Sequence, residues 1–468
     1  MRLRLKGLTA VPHVDLVNSG RMARTTITGV STDSRTTAAD DLFVALRGDR
    51  FDGHGFVADA FARGAIAAVV DRDFRPETVP DRVLLIVDDT VAALGALARL
   101  HRMQFRIPVI AVAGSNGKTT TKEMIADVLR QRYRVLKTEG NLNNHIGVPQ
   151  TLFRLGSRHD IAVVEIGTNH PGELAALCDM LRPTHGLITG IGNEHLEFFG
   201  SVEGVAQEEG ALFRSLKATP SAVAFVNADD RRVVPFARGI RRAVRYGFGA
   251  RRVDVRGAIT GHDRAGAVTM TCRGKRLSVR DIALQVPGDH NAVNALAAAT
   301  VGLTFRVPPT LIRDALVSFR PAGKRMEVLE IGGILVYNDT YNANPESTIA
   351  GVRTLAAARV PGKRIAVLGD MLELGATAPA EHARVGKAVG EHRLDYLLTF
   401  GPLSRHTHDA AGITNAFHYN EKNMLAEFLT ELAGPGDAVL VKGSRGMRME
   451  DVVTFLRERQ KHPGAVPA

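Results

Sequence analysis

The sequence predicts an α/β protein of three domains: a small α/β N-terminal unit, a central phosphate-loop domain on a parallel sheet with an antiparallel insert, and a Rossmann-like, doubly wound C-terminal unit. Three observations carry this expectation. The stretch from Val109 to Leu129, VIAVAGSNGKTTTKEMIADVL, reads as strand, glycine loop and helix. Short apolar runs alternate with helical periods on both sides of it, the pattern of parallel sheets covered by helices. Between Val253 and Gln285 the hydrophobic period falls to two, as in antiparallel strands. The chain has 468 residues, room for about three domains at ~150 residues each.

In chain order, residues 1–105 form the first unit. Its expected strands are Leu42–Leu46, Ala65–Val70 and Val83–Val87, followed by a helix over Thr90–Met103 rich in Ala and Leu. Two polar segments stand out beside them, STDSR at Ser31–Arg35 and RGDRFDGH at Arg47–His54, and either is equally well read as a turn. Pro108 ends the helical stretch before the next strand begins.

Residues 106–318 form the second unit. Strand Val109–Ala113 leads into Gly114, Ser115, Asn116, Gly117, Lys118, Thr119 and Thr120, and a helix follows with Met124, Ile125, Val128 and Leu129 on one face. Such a loop cradles phosphates, because glycines admit backbone N–H groups and the helix N-terminus adds partial positive charge. Lys118 then reaches the terminal phosphates and Thr119 offers its hydroxyl to Mg²⁺, so ATP and Mg²⁺ are the expected cofactors. The loop is shorter than G-x-x-x-x-G-K-[ST]: Val112 stands where that pattern has its first glycine. Further strands are expected at Ile161–Ile166, Gly186–Gly190 and Ala222–Val226, each followed by polar residues. Parallel sheets bind ligands beyond such strand ends. The candidates there are Asn141, Asn143 and Asn144 in GNLNNHIGVP, Glu165 and His170 in EIGTNHPGEL, and His195 in NEHLE. Glu165 sits where a carboxylate holds the magnesium that Thr119 also binds. After the period-two segment, GDHNAVN at Gly288–Asn294 opens an alanine-rich helix.

Residues 319–468 alternate strand and helix at least three times, with strands expected at Ile334–Tyr337, Arg364–Leu368 and Ala438–Val441. Polar clusters follow them at Asn338–Pro345, Gly369–Gly375 and Lys442–Arg445. No dinucleotide glycine fingerprint accompanies these strands, so NAD is not expected.

Composition narrows the class. Apolar residues make up 45% and charged residues 23%, ordinary for a globular protein with a core in each domain. Cys178 and Cys272 are the only cysteines and lie far apart, which argues against a disulfide framework or a thiolate metal site and suits a cytoplasmic protein. The N-terminal MRLRLKGLTAVPHVDLV lacks a continuous apolar segment, so no signal peptide is expected, and no apolar run of 18 residues occurs, so membrane insertion is not expected. The net charge of +11 invites a nucleic-acid reading, but the arginine-dense Arg231–Arg256 carries no nucleic-acid-binding signature. A solvated basic face and anionic small substrates account for the charge, and no nucleic-acid partner is expected.

Taken together, TDSR at Thr32–Arg35, GSNGKTTT at Gly114–Thr121, GNLNNHIGVP, EIGTNHPGEL, NEHLE, GDHNAVNALAA and the run from Arg325 into NDTYNANP resemble the Mur ligases, the ATP-dependent amide-forming enzymes of peptidoglycan precursor synthesis. The resemblance spans nearly the whole chain, in family order. Within the family, GNLNNHIGVP, TYNANP, GDMLELG and KGSRGMRME are most similar to the branch that adds D-Ala-D-Ala to a UDP-N-acetylmuramoyl tripeptide. A different amino-acid acceptor on the same scaffold is the nearest alternative, and a nucleotide-regulated binding protein is the alternative from another class. The family's Asp-Asn-Pro-Arg signature for a diamino-acid acceptor is absent.

The resemblance implies roles for individual residues. Ser34, Arg35 and Asp52 are expected to hold the UDP end, and Asn141, Asn143, Asn144 and Asn342 the remaining substrate. Lys118, His195 and Arg325 are the expected catalytic residues. Asn291 and Asn294 would lie on the adenine side, and Asp339 and Arg325 would meet ATP from the last domain. Thr119, Glu165, His195 and Glu209 are the expected metal ligands. The implied reaction joins a substrate carboxylate to the γ-phosphoryl group and then exchanges phosphate for an amine. Two unit negative charges 4 Å apart repel by about 1 kcal/mol in water and about 4 kcal/mol at an effective dielectric of 20. Several cations must therefore converge. The family often carries a carbamylated lysine in a segment like AQAKGE. Here that segment reads VAQEEGAL, and Glu209 stands in its place. A monomer is expected.

Overall fold

The structure, a computed structural model, describes residues 3–4, 11–18, 26–48, 51–321 and 323–461. Asp49 and Arg50 of the Arg47–His54 segment lie outside these, as do residues 462–468 at the end of the last expected domain. Among the described residues the strands form sheets of five, nine and six strands and a two-stranded pair of Leu3–Arg4 with Thr26–Ile27.

The five-stranded sheet runs Asp15–Val17, Val83–Val87, Ala67–Asp71, Asp41–Val44 and Gly29–Ser31, with the first strand antiparallel to its neighbour. Its strands are short and almost continuously apolar because helices cover them. Helix Thr90–Arg102 carries this sheet's core on one side, through Leu94 and Leu97, and meets the central domain on the other. Buried Arg102 donates to the carbonyls of Leu181 at 3.1 Å and Phe105 at 2.6 Å, and His101 Nε2 lies 2.8 Å from the Leu155 carbonyl. A buried guanidinium satisfied by fixed carbonyls anchors the helix where it is.

The nine-stranded sheet has Val109–Ala113 third from one edge, fully buried, with Ile161–Glu165 on one side and His185–Ile188 on the other, all parallel. The register sets Glu165 beside Val112 and Ile188 beside Ala113, so three strand ends open onto one crevice. The period-two segment is present as Val255–His262, Ala267–Gly274 and Ser278–Pro287. It is not a separate insert. Val255–His262 pairs in parallel with Arg242–Gly247, and the antiparallel strands prolong the central sheet to its edge. Their inward Val268, Met270 and Cys272 pack under helix Asp289–Thr304, which is alanine-rich because it lies against the phosphate-loop helix Lys118–Arg130 on one side and the sheet on the other.

The six-stranded sheet runs Glu327–Ile331, Ile334–Asp339, Ala438–Lys442, Arg364–Gly369, Tyr396–Phe400 and Ala416–Tyr419. All pairings are parallel except the first, a hairpin through Gly332 and Gly333. Its first strand escapes a sequence reading because Glu327 and Glu330 interrupt the apolar run. Tyr337 donates to the Ala265 carbonyl at 2.9 Å and Arg359 N to the Arg264 carbonyl at 2.9 Å, which join this sheet to a turn of the central domain.

Candidate active site

The phosphate loop folds tightly because Gly114 and Gly117 take φ of 115° and 78°. A Cβ on Gly117 would lie 2.7 Å from Asn294 Oδ1, and one on Gly114 would lie 2.4 Å from Thr189 Oγ1, so both positions need glycine. Ser115 N donates to the Gly190 carbonyl at 2.8 Å, and the Ser115 hydroxyl accepts from Gly192 N at 2.9 Å. Thr121 donates to Asn294 Oδ1 at 3.0 Å, and Asn294 Nδ2 to Asn291 Oδ1 at 3.1 Å. The two asparagines thus lean on the loop's helix. Thr120 is half-buried in that helix's first turn.

Lys118 Nζ folds back to the Gly114 carbonyl and lies 3.5 Å from Glu194 Oε2. Three buried carboxylates surround it: Glu194, Glu209 and Glu165. Burial works against its ammonium, and the three negative charges together outweigh burial and hold its pKa above the ordinary lysine value. Glu194 escapes a sequence reading because His195 beside it draws the eye. Its signal is a carboxylate directly after a buried strand and loop, on the side facing the lysine.

Glu165 Oε1 accepts from Thr119 Oγ1 at 3.2 Å and from Asn143 Nδ2 at 2.8 Å. Lys122, fully buried, lies 3.9 Å from Glu165 Oε2 and holds the Thr138 carbonyl at 2.8 Å, a support that sequence reasoning missed. Glu209 is fully buried, and its Oε2 accepts from Gly114 N at 2.7 Å. Burial pushes its carboxyl pKa up against the pull of Lys118. Its neighbour Glu208 points elsewhere and accepts from Leu174 N at 2.7 Å and Gly172 N at 2.8 Å, capping helix Glu173–Leu181. The two glutamates therefore do different work.

Oε2 of Glu165, Oε1 of Glu194 and Oε1 of Glu209 are buried and accept no hydrogen bond. Such oxygens are costly until a donor or a cation reaches them. Hard oxygens around a phosphate loop suit a divalent cation of the magnesium kind. Among the described residues, no three His, Cys, Asp or Glu side chains are grouped to cage a metal alone. A cation here would complete its shell with phosphate oxygens and water. His195 is not brought to Glu165 and Glu209: its Nδ1 lies 2.7 Å from Glu373 Oε2 of the last domain, and this pairing keeps the Glu373 carboxyl below its usual pKa.

The last domain meets the loop directly. Asn344 Nδ2 donates to Asn116 Oδ1 at 2.9 Å. Glu346 accepts from Asn193 N at 2.9 Å, Glu381 accepts from Asn193 Nδ2 at 3.0 Å, and Arg384 pairs with both glutamates. Arg325 stacks on Tyr341, its guanidinium carbon 3.6 Å from the ring centroid. Asp339 is tied to Lys442 at 2.6 Å and to Met326 N at 3.0 Å, and Lys442 also holds the Asn342 carbonyl at 2.8 Å. Asp339 thus anchors the Asn338–Pro345 loop. Asn144 accepts from Gly147 N at 2.9 Å just before helix Gly147–Phe153, and both it and Asn141 are exposed.

In the first domain a cavity of about 250 Å³ is walled by Ser31, Thr32, Asp33, Thr36, Gln150 and Phe153. It joins the segment before Ser34 and Arg35 to the helix after the asparagine cluster. Ser34 is buried in a short 3-10 turn, and Arg35 is exposed and paired with Asp33 at 2.7 Å, which holds the Asp33 carboxyl down to about 2. Asp52 caps the turn Gly53–Phe56 and pairs with Arg47.

Comparison with known proteins bears on this arrangement. Family models match three consecutive segments: a Mur ligase family catalytic domain over residues 26–102, a Mur ligase middle domain over 112–302, and a Mur ligase glutamate ligase domain over 324–445. A UDP-N-acetylmuramoyl-tripeptide–D-alanyl-D-alanine ligase of Bacillus subtilis (strain 168) is 35% identical over 97% of this chain and 96% of its own. One of that name from Escherichia coli (strain K12) is 38% identical over 92% and 94%. The crystal structure of MurF from Acinetobacter baumannii superposes with a TM-score of 0.87 at 31% identity, covering 98% of this chain and 99% of that one. MurF ligase from Thermotoga maritima in complex with ADP gives 0.80 at 27% identity, over 93% and 98%. A phosphate loop seamed to a third domain, matched along nearly its whole length by these ligases, has one conclusion: the chain belongs to the Mur ligase family.

Proposed function

We infer that this chain is an ATP-dependent amide-bond-forming ligase that adds D-alanyl-D-alanine to a UDP-N-acetylmuramoyl tripeptide in peptidoglycan precursor synthesis. The observation that carries this is the seam at Asn116 and Asn344, in a chain similar end to end to ligases of that name. A nucleotide on the loop lies between two domains, where an acyl group and an amine can be brought together. Residues 1–105, 106–318 and 319–468 serve as the UDP-substrate, ATP and acceptor units.

In this reading the γ-phosphoryl group is transferred to the tripeptide carboxylate, and the dipeptide amine then displaces phosphate. Lys118 leaves the Gly114 carbonyl and Glu194 to hold the terminal phosphates, aided by the loop's N–H groups. Asn291 and Asn294 support the adenine side. Thr119, Glu165 and Glu209, with His195 once freed from Glu373, would hold Mg²⁺, which neutralises phosphate charge when bound. Asn143 orients Glu165. Arg325 is released from Tyr341 toward the transferring phosphoryl group, while Asp339 and Asn342 shape the loop beside it. The cavity near Ser34 and Arg35 takes the UDP end, which Asp52 also serves, and Asn141 and Asn144 lie along the peptide path. In this reading the enzyme acts as a monomer. Among the described residues no helix is long and apolar enough to cross a membrane. Two buried free thiols support a cytoplasmic enzyme.

Phosphate release measured with ATP, a UDP-muramoyl tripeptide and D-Ala-D-Ala tests the reading. Release that requires both substrates, with amide product seen by mass spectrometry, is expected. ATP turnover indifferent to them would overturn it.

A further inference from the structure

Beside the loop that meets the central domain, two arginines flank one tyrosine ring. Tyr341 lies three residues before Asn344, the residue that touches the phosphate loop. Arg325 stacks on its ring, and Arg445 approaches the same ring, 5.3 Å from the centroid, donating from Nη1 to the Tyr341 hydroxyl at 3.2 Å. Among the described residues neither guanidinium has a carboxylate at ion-pair distance. Their cationic neighbours differ: Lys324 pairs with Glu450, Lys442 with Asp339, and Arg384 with Glu346.

Arg445 begins a 3-10 turn, Arg445–Met447, just after strand Ala438–Lys442. The root of that turn is fixed. Buried Ser444 accepts from Leu372 N at 2.8 Å and donates to the Ala343 carbonyl at 3.3 Å. The guanidinium itself is exposed. Leu372, 40% exposed, lies over Gly446, where a Cβ would sit 3.1 Å from Leu372 Cδ1. An unpaired guanidinium steadied by an aromatic ring, beside an exposed leucine, suits an anion on a small apolar body.

We propose that Arg445, positioned by Tyr341, binds the terminal carboxylate of the amine-donating dipeptide, with Leu372 against its methyl groups. This rests on the ligase reading above. That reaction consumes the dipeptide's amine and leaves its carboxylate charged throughout, close to phosphates that repel it, so a dedicated cation is required. A bidentate arginine–carboxylate pair supplies both charge and orientation.

The test compares D-alanyl-D-alanine with its C-terminal amide at saturating ATP and UDP-peptide, in the wild type, Arg445→Gln and Arg445→Lys. The wild type should prefer the acid. Arg445→Gln should raise the KM for the acid about ten- to a hundredfold, the scale of a lost charged hydrogen bond, with the KM for ATP within about twofold of wild type and the preference for acid over amide gone. Arg445→Lys should retain part of that preference, and it serves as the reading if the glutamine variant fails to bind ADP normally. Tyr341→Leu should weaken the same preference, and Tyr341→Phe should weaken it less. An Arg445 variant that still prefers the acid as strongly as wild type, or whose defect lies in the KM for ATP, overturns the proposal. A wild type that ligates acid and amide alike overturns this inference alone; one that forms no amide with any dipeptide overturns the ligase reading itself.

Discussion

Two buried charge clusters, one at Lys118 and one at Lys442, look alike in composition and differ in how their hydrogen bonds are satisfied. Lys442 is almost wholly buried, and its partners are in hand: Asp339 at 2.6 Å and the Asn342 carbonyl at 2.8 Å, with Asp339 also accepting from Met326 N. Lys118 faces three carboxylates, and Glu165, Glu194 and Glu209 each keep one buried oxygen without a donor. A cluster that is complete holds a loop in shape. A cluster with acceptors to spare is prepared for something that arrives later.

The comparison can be broken first at Lys442. Lys442→Met leaves Asp339 buried without its cation, and removing one partner of a buried pair costs about 3–5 kcal/mol. Urea unfolding should show that loss, and Lys442→Met combined with Asp339→Asn should recover much of it. A loss below about 1 kcal/mol in the single variant would mean that the pair is not structural.

Lys118→Ala should act on the reaction more than on the fold. Removing one preorganised electrostatic contact lowers turnover about 10²–10³-fold, or about 2.7–4 kcal/mol, at saturating ATP. The urea midpoint should move less than in Lys442→Met, because the lysine is 16% exposed at the mouth of the crevice and water can replace it. Turnover above a tenth of wild type would remove Lys118 from its assigned role.

Glu209→Gln gives the smallest effect. An amide is a poorer partner for a hard cation, and losing such support costs about 10–100-fold in metal affinity. Magnesium titrations of ADP binding should shift by that amount, while bicarbonate depletion should leave the wild-type rate unchanged. Glu208→Gln is the contrast: it should lower stability through helix Glu173–Leu181 and leave the magnesium titration where it was. Equal magnesium curves for wild type and Glu209→Gln would return Glu209 to a purely structural role on Gly114 N.

What was legible in the sequence follows contiguity. The phosphate loop could be read because strand, glycines, lysine and helix are consecutive. Full pairing of the Val255–Pro287 strands into the central sheet could not be read, since alternation reports that a strand has one buried face but not which neighbour it joins. Asn344 and Asn116 are 228 positions apart, and nothing local to either predicts their hydrogen bond. Glu194, Lys122 and the Arg325–Tyr341–Arg445 stack were missed for the same reason. Each is an ordinary residue whose role comes from what folding sets beside it. Asn143 and Asp339 were legible as polar residues at strand ends, but whether each faces a ligand or a neighbouring side chain depends on rotamers and loop closure.

The seam at Asn116 and Asn344 also limits how such a chain can be recombined. Three domains, each with its own sheet, look exchangeable in a shuffled gene. Yet Asn116 and Asn193 lie in the central unit, whereas Asn344, Glu346, Glu381 and Arg384 lie in the last. A chimera that takes its third domain from a distant ligase keeps its sheets and loses this handshake unless all six positions travel together. The central and last units also share one apolar cluster, which takes in Ile188 and Leu196 with Ala343 and Leu374, so the two are inseparable as a lineage.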